Sequence, residues 1–450
     1  MEKNKTMLKN ITFSEIINWD VKNFFRQVNV FKEGIRIVPF GFFLSKSDVE
    51  KIKIEDENEY KVLGVRSYGK GAFINREVMG DTLKMRTYQL AKKNRLFWCK
   101  VDTKNGAFGI INDSFVNGIA SSNMTFADIN TNEANLEFIQ TLFKSKKINE
   151  YMDGYVTGTT NRKYIKPDQL REEIKIPLPF ITAQNKIVDS YNTKMVLAKQ
   201  QETKATDLEK EIEVYLDDAL GLKKLKEKEN VKGLQFISLK NLDRWDVLTK
   251  DLRTLNGLSN SKYDLKKIGS IYDFPSKSWK KKEYKKETFK YIELGAIEEN
   301  FGVKRVKEIE VKKAPSRATQ QINTGDLIIG TTRPYLKRFA IINTKHDNNI
   351  CSSGFSIIEP SPNYDLNFLK EFLMSFYGIE QLKNRMTGGT YPAITNTELK
   401  EILIPLPKIA TQKEIGNHIL NLKNEIKNLK KEAKQNREQA ILDFENEIFN

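Results

Sequence analysis

The chain has few of the residues on which most self-contained catalytic and metal sites depend. Its 450 residues include only two cysteines, Cys99 and Cys351, and two histidines, His346 and His418. These counts exclude a disulfide framework, a CxxC zinc site and a multi-histidine metal cluster. The sequence also lacks an Asn-Pro-Pro-aromatic tetrapeptide and a Gly-rich cofactor loop after a convincing strand. We therefore expect this chain to contain no catalytic residue, no metal ligand and no bound cofactor.

Long hydrophobic runs are missing as well. No apolar stretch reaches membrane-spanning length, and the N-terminal residues lack the apolar core of a signal peptide. Together with the low cysteine content, this predicts a soluble cytoplasmic protein without a membrane partner.

Positive charge, in contrast, is abundant. The formal net charge is +16 at pH 7. A protein this basic usually meets an anionic partner, with nucleic acid the first candidate, although a general solubility charge is the alternative. The hydrophobic content of 39% is enough to build packed cores, so the chain is not broadly disordered.

The chain repeats itself. The tetrapeptide Ile-Pro-Leu-Pro occurs at 176–179 and again at 404–407, 228 residues later. Gln184 and Gln412 follow at the same spacing, as do Ile187 and Ile415, and Trp-Asp-Val stands near the start of each half, at 19–21 and 245–247. These matches predict two diverged units of similar length, which suit a target with two related halves.

Four segments emerge from the local patterns. Segments 1–176 and 229–404 mix short β-like runs, such as 96–101 and 326–329, with one helical pattern each, at 133–143 and 367–376. Segments 177–228 and 405–450 each predict one long helix. The fold class is therefore α+β, with two pseudo-twofold-related globular α/β units separated by a pair of long helices.

The two long helices share one heptad-like frame of apolar positions. The predicted seam consists of Ile187, Tyr191, Ala198, Leu208 and Ile212 in the first helix and Ile415, Ile419, Leu422, Ile426 and Leu429 in the second. Each seam needs an apolar partner, so we predict an intramolecular antiparallel coiled coil. The alternative is that each helix packs on its own globular unit. A helix of roughly 40 residues is about 60 Å long, which exceeds one turn of B-DNA.

Two motifs imitate catalytic sequences. Residues 64–71 nearly match the phosphate-binding loop GxxxxGK[ST], but Gly71 stands where a Mg²⁺-binding hydroxyl belongs. Pro167-Asp168 with Glu173 and Lys175 imitates a nuclease signature, but the second copy lacks the lysine. A standalone nucleotide hydrolase or nuclease is therefore disfavoured.

Basic loops with aromatic residues are better candidates for DNA contacts, because lysines hold phosphates and arginine forks read guanine edges. The loop 331–338 carries two arginines and a tyrosine, and 66–70 resembles the corresponding loop of the first half. The candidates are Arg66, Tyr68, Lys70, Lys92, Lys93, Arg95, Lys277, Trp279, Lys280, Lys281, Arg333, Tyr335, Lys337 and Arg338.

With these residues in view, the chain resembles the DNA-recognition (specificity) subunits of type I restriction–modification systems. The resemblance rests on the paired Ile-Pro-Leu-Pro motifs, each opening a long helix, and on Gly-Gly-Thr-Tyr-Pro-Ala-Ile at 388–394. Further characteristic runs lie at 104–109 and 120–123 in the first half and at 350–355 in the second.

The resemblance implies two target-recognition domains, 1–176 and 229–404, each reading one half of a bipartite asymmetric site in double-stranded DNA. It implies that conserved helical regions 177–228 and 405–450 act as a spacer and bind two methyltransferase subunits, which restriction/translocase subunits then join. S-adenosylmethionine, ATP and Mg²⁺ belong to those partners. Two alternatives stay open: the recognition subunit of a fused methyltransferase–nuclease system, and a coiled-coil scaffold without DNA specificity.

Overall fold

The computed structural model describes residues 30–100, 103–153, 155, 165, 167–223, 257–299 and 301–449. The repeated Trp-Asp-Val triplets at 19–21 and 245–247 lie outside these residues, as does the glycine turn at 158–160. The chain divides into two units: unit 1 comprises Met1–Gln200 and Ala433–Asn450, and unit 2 comprises Gln201–Glu432.

Within its described residues, unit 1 combines short strands with three short α-helices. Its strands are β1 (Ile37–Pro39), β2 (Leu44–Lys46), β3 (Lys51–Lys53), β4 (Glu59–Arg66), β5 (Gly71–Met79), β6 (Thr87–Leu90), β7 (Arg95–Cys99), β8 (Phe108–Ile110), β9 (Ile119–Ala120), β10 (Met124–Ile129) and β11 (Lys175–Pro177). They form sheets of order β1-β11, β2-β10-β7-β8 and β3-β6-β9-β4-β5. The helices are α1 (Leu136–Leu142), α2 (Lys146–Asp153) and α3 (Pro167–Glu172).

The core of unit 1 forms where α1 covers the sheet that contains β8. Asn135 starts the helix, because its side chain accepts hydrogen bonds from the N–H groups of Glu137 and Phe138. The rings of Phe108 and Phe143 stack with centroids 3.8 Å apart, and both side chains are fully buried. Strand and helix are therefore held in one hydrophobic cluster.

Unit 2 has the same kind of architecture. Its strands are β12 (Leu265–Lys267), β13 (Thr288–Ile292), β14 (Ile297–Glu298), β15 (Gly302–Val303), β16 (Lys307–Glu310), β17 (Ala318–Gln321), β18 (Leu327–Gly330), β19 (Phe339–Ile341), β20 (Ile350–Ser352), β21 (Phe355–Ile358) and β22 (Leu403–Pro405). They form sheets of order β12-β22, β16-β13-β20-β17, β14-β15 and β19-β18-β21. The short helices are α5 (Leu366–Met374), α6 (Phe376–Arg385) and α7 (Asn396–Lys400).

The two units repeat one strand–turn–strand core, with β7–β10 in unit 1 matched by β18–β21 in unit 2. In each, the third strand of the core pairs in parallel with a strand of the neighbouring sheet, Ile119 with Val62 and Ile350 with Tyr291. Gln89 and Gln320 make the same pair of side-chain hydrogen bonds. Each donates to two carbonyls at the turn between the third and fourth strands of the core. The duplication seen in the sequence is therefore a duplication of the fold.

The predicted long helices are α4 (Ile181–Leu220) and α8 (Ile409–Ile448), 40 residues each. In unit 1, Tyr191 of α4 packs in one cluster with Ala440 and Phe444 of α8. In unit 2, Leu208 packs with Ile426. Residue numbers rise along one helix while they fall along the other, so the helices are antiparallel. The predicted fold class, two α/β units with paired long helices, is confirmed.

The seam residues lie between the helices or where a helix meets its own unit. Ala198, Ile415, Ile419, Leu422 and Ile426 are buried, along with Tyr191 and Leu208, whereas Ile187, Ile212 and Leu429 are half-buried. Polar side chains of α4 also have partners on the opposite helix. Lys194 forms an ion pair with Asp443, and the Gln201 side-chain amide donates to Glu432 over 2.9 Å.

Candidate nucleic-acid interface

The first group of candidates stands on the hairpin turn between β4 and β5. Tyr68 and Lys70 are exposed, and Tyr68 adopts a left-handed backbone with φ of 59°. Its N–H donates to the carbonyl of Asn105 over 2.6 Å, and the N–H of Gly69 donates to Gly106 over 2.8 Å. The Arg66 guanidinium lies 4.5 Å from the Phe73 ring centroid. The turn is thus fixed against loop 103–107 and presents an aromatic ring and a lysine to solvent.

The structure corrects the expected correspondence between the loops at 66–70 and 331–338. Loop 331–338 joins β18 to β19, and the equivalent connection in unit 1 joins β7 to β8, through residues 100–107. The second-last residue of each connection has a left-handed backbone, Gly106 with φ of 64° and Lys337 with φ of 50°. The sequence comparison failed because a shared arginine–tyrosine pattern does not report which strands a loop joins.

The third basic loop contains one residue that cannot serve as a DNA contact. Lys92 and Lys93 are exposed and form surface ion pairs with Glu50 and Asp113. Arg95, however, is 6% exposed, and its Nε donates to Asp128 over 2.6 Å. Because its guanidinium is held inside the unit, Arg95 is a structural residue.

The lysine-rich segment of unit 2 is corrected in the same way at two positions. Trp279 is 7% exposed and packs with Phe289, their ring centroids 4.8 Å apart. Lys277 donates over 2.8 Å to the buried carboxylate of Asp326 and forms an ion pair with Glu359. Burial opposes its charged form, but these hydrogen bonds outweigh burial and raise the pKa of Lys277. Trp279 and Lys277 therefore anchor the segment within unit 2.

The anchored segment carries its other lysines on the surface. Lys280 pairs with Glu283 over 3.0 Å, and Lys281 donates to the carbonyl of Lys312 over 2.8 Å. Both are exposed, as are the neighbouring lysines at 282, 285 and 286. A tryptophan-based anchor thus presents a cluster of cations, which is the arrangement that phosphate contacts require.

The loop 331–338 is bound to the Gly-Gly-Thr-Tyr-Pro-Ala-Ile run at 388–394. The Arg333 N–H donates to the carbonyl of Pro392, and Thr332 forms a β-bridge with Ala393. The Arg333 Nη2 donates to the carbonyl of Thr390 over 2.8 Å, and the guanidinium lies 4.7 Å from the ring centroid of Tyr391. Two motifs that the sequence showed separately therefore form one surface.

Sequence reasoning missed Tyr391 as part of this surface. Its ring is 70% exposed, but it lies 58 positions after Arg333 in the chain. The available signal was the tyrosine within a glycine-rich run. Only the antiparallel contact between the two loops shows that Tyr391 and Arg333 are neighbours.

The catalytic imitations do not form catalytic sites. Residues 64–71 belong to the antiparallel hairpin β4–β5, whereas a phosphate-binding loop joins a strand to a helix. Asp168 lies in the first turn of α3.

Burial raises the pKa of the Cys351 thiol to about 12. Within the described residues, no cluster of three histidine, cysteine or carboxylate side chains could hold a metal ion, and no helix has the length and hydropathy of a membrane span.

Comparisons with known proteins agree with this geometry. Residues 260–436 match the family model described as type I restriction modification DNA specificity domain. A stretch of 108 residues is 32% identical to the type I restriction enzyme HindI specificity subunit of Haemophilus influenzae. It covers 23% of this chain and 24% of that protein, so it spans about a quarter of the relative's length.

The fold comparison covers much more of the chain. A solved structure described as the structural basis of complex assembly and conformational transition of the type I R-M system matches with a TM-score of 0.54, at 15% identity, over 92% of this chain and 96% of the other. The HsdS subunit from Thermoanaerobacter tengcongensis matches over 92% of this chain and 96% of its own, at 15% identity and a TM-score of 0.46. At 15% identity, such likeness concerns the fold alone.

The residues that match the DNA specificity model lie almost entirely in unit 2. Over part of its length the chain is thus similar to type I restriction–modification specificity subunits.

Proposed function

We propose that this chain is the sequence-specific DNA-recognition subunit of a type I restriction–modification complex and carries no catalytic site of its own. Each unit reads one half of a bipartite asymmetric site in double-stranded DNA. The helix pair α4–α8 acts as the spacer and binds two methyltransferase subunits, and restriction/translocase subunits join that assembly. The boundaries 1–176, 177–228, 229–404 and 405–450 remain the proposed division into recognition domains and helical regions.

One observation carries this proposal: each unit holds its copy of the core against one helix of the pair by the same glutamine. The Gln184 Oε1 accepts from the N–H of Asn135 over 2.8 Å, and the Gln412 Oε1 accepts from the N–H of Asp365 over 2.9 Å. Both side chains are almost fully buried, and each also donates to the carbonyl of the second proline in the repeated tetrapeptide. Two units that each make the same glutamine contact to a long helix suit a target with two half-sites.

The proposed DNA-contact residues come from the exposed and half-buried members of the original set. Surrounding lysines hold phosphates and provide affinity, while loop side chains reach base edges in the major groove. The residues retained, either as contacts or as parts of the contact loops, are Arg66, Tyr68, Lys70, Lys92, Lys93, Lys280, Lys281, Arg333, Tyr335, Lys337 and Arg338. Arg95 and Trp279 are left out because they are buried, and Lys277 is left out because its ammonium group is paired with Asp326 and Glu359.

Cofactors follow from this division of labour. We propose that S-adenosylmethionine, ATP and Mg²⁺ act on the partner subunits and that the complex works on cytoplasmic DNA. A fused methyltransferase–nuclease partner would use the same recognition chain. A scaffold without DNA specificity is the contrasting possibility, and sharp salt dependence of DNA binding would count against it.

The deciding experiment is methylome sequencing of a host that expresses this chain with the methyltransferase of its system, compared with a deletion of this chain. A bipartite methylated motif that disappears on deletion is the expected result. A motif that persists without this chain would overturn the proposed function.

A further inference from the structure

We propose that the base-contacting element of unit 2 is the tip Tyr335–Leu336 and that Arg333, assisted by Tyr391, is a positioning residue that holds this tip instead of reading a base. The inference rests on the proposed function and specifies which side chains of one loop carry its specificity. It concerns only loop 331–338 and the run 388–394 that binds it.

The tip is held rigidly by its two flanking residues. Arg333 and Lys337 both adopt left-handed backbones, with φ of 49° and 50°, which non-glycine residues rarely accept. Between them Pro334–Leu336 forms a single 3-10 turn, closed by the Leu336 N–H to Arg333 and the Lys337 N–H to Pro334, each over 2.9 Å. Such strain persists where surrounding contacts over-determine it, and it concentrates at functional sites.

The cationic groups of the loop are occupied in holding it. Arg333 is fixed by the carbonyl of Thr390 and the ring of Tyr391. Lys337 forms an ion pair with Glu299 over 3.3 Å. Within the described residues Arg338 has no ion-pair partner, so it is the cation of this loop that can meet a phosphate.

The tip itself is apolar and exposed. Tyr335 and Leu336 are 37% and 38% exposed, although Pro334 beside them is buried. Paired apolar side chains on a rigid turn, next to an unpaired arginine, suit the edge of a base pair, where a thymine methyl offers an apolar contact and the phosphate backbone lies within reach. The charge beside the tip favours DNA over a protein surface as its occupant.

Unit 1 also has an exposed tyrosine at the equivalent strand connection, but it comes from a different loop. Its equivalent connection, 100–107, contains Thr103–Asn105 as the 3-10 turn. Tyr68, 59% exposed, reaches it from the neighbouring hairpin, with its N–H bonded to Asn105. Both units therefore present one exposed tyrosine at the β7–β8 or β18–β19 connection, and this agreement supports a shared contact role.

The test combines methylome sequencing with binding to a duplex that carries the wild-type motif. The double variant Tyr335→Ala/Leu336→Ala, expressed with its methyltransferase, is expected to keep one half-site and the spacer but to lose base preference in the other half. Binding to the cognate duplex should weaken about tenfold, and binding to a random duplex should change less than about twofold. Phe376→Ala, which removes an aromatic ring of similar exposure in the same unit, is the matched control.

Three results would overturn the tip assignment: an unchanged motif with unchanged affinity, loss of preference in both half-sites, or loss of complex assembly, which would make the tip a protein contact. If the wild-type chain directs no bipartite motif, the proposed function fails first and the inference fails with it.

The positioning role of Arg333 is tested by the salt dependence of DNA binding. Arg333→Gln should weaken cognate binding about fivefold by loosening the loop but leave the slope of log Kd against log salt unchanged. Arg338→Gln should lower that slope by about one, as loss of a phosphate contact does. Tyr391→Phe should bind like wild type, because the ring face is retained. A slope reduced by Arg333→Gln would show that Arg333 touches phosphate and would overturn its positioning role.

Discussion

The two units share one backbone plan but stabilise it with opposite charges. At the start of β7, unit 1 places Arg95, paired with Asp128. At the equivalent position before β18, unit 2 places Asp326, paired with Lys277. The charge at the start of the strand is therefore positive in unit 1 and negative in unit 2, and its oppositely charged partner comes from a different segment in each unit.

This difference teaches that the repeated core constrains the backbone and not the identity of a buried charge. The pairs also differ in depth. Asp326 has a side chain only 1% exposed, whereas that of Asp128 is 44% exposed. A charge without water around it needs its partner more. The comparison therefore predicts unequal penalties for equivalent substitutions.

The largest effect is expected for Lys277→Met, which leaves Asp326 buried without a counter-ion. Unit 2 should lose about 3–5 kcal/mol of stability. Arg95→Met should cost unit 1 less, about 1–3 kcal/mol, because water reaches Asp128. Hydrogen exchange measured by mass spectrometry on the full chain separates the peptides of the two units. Equal losses, or a loss in unit 2 no greater than that of the surface control Lys280→Met, would contradict the argument.

An intermediate and symmetric effect is expected at the repeated glutamines. Gln184→Leu and Gln412→Leu each remove the acceptor of a part-buried backbone N–H, that of Asn135 or of Asp365, so each should cost about 1–3 kcal/mol in its own unit. Gln200→Leu, at an exposed position of α4, should change stability by less than about 0.5 kcal/mol. The same exchange experiment measures all three, and a clear inequality between the two buried glutamines would disprove their equivalence.

The smallest effect is a pH dependence confined to unit 2. Burial, with the charges of Lys345 and Lys290, lowers the pKa of His346 below its ordinary value of 6.5. The unfolded chain therefore takes up a proton first, and unit 2 should lose stability as pH falls below about 6.5. His346→Phe, which installs the residue type of Phe115 at the equivalent place in unit 1, should remove this component. If the free energies of unfolding of the variant and the wild type differ by a constant amount between pH 8 and pH 5, this pH dependence is ruled out.

The repeat and the long helices could be predicted from the sequence because both depend on local or periodic signals. The heptad frame from Ile187 and from Ile415 depends only on spacing along one helix. The site was predicted less completely. Trp279 and Arg95 looked like surface residues because a lysine-rich neighbourhood says nothing about which side of a strand a side chain occupies.

The sequence by itself determined that this protein has two related α/β units and two long helices with one shared apolar frame. Tertiary structure alone decided which loops correspond, since strand pairing across many residues sets that relation. It also decided that Arg333 meets Tyr391 and that Lys277 meets Asp326. These contacts join residues far apart in the chain, and only the packing of strands brings their charges and rings within reach of one another.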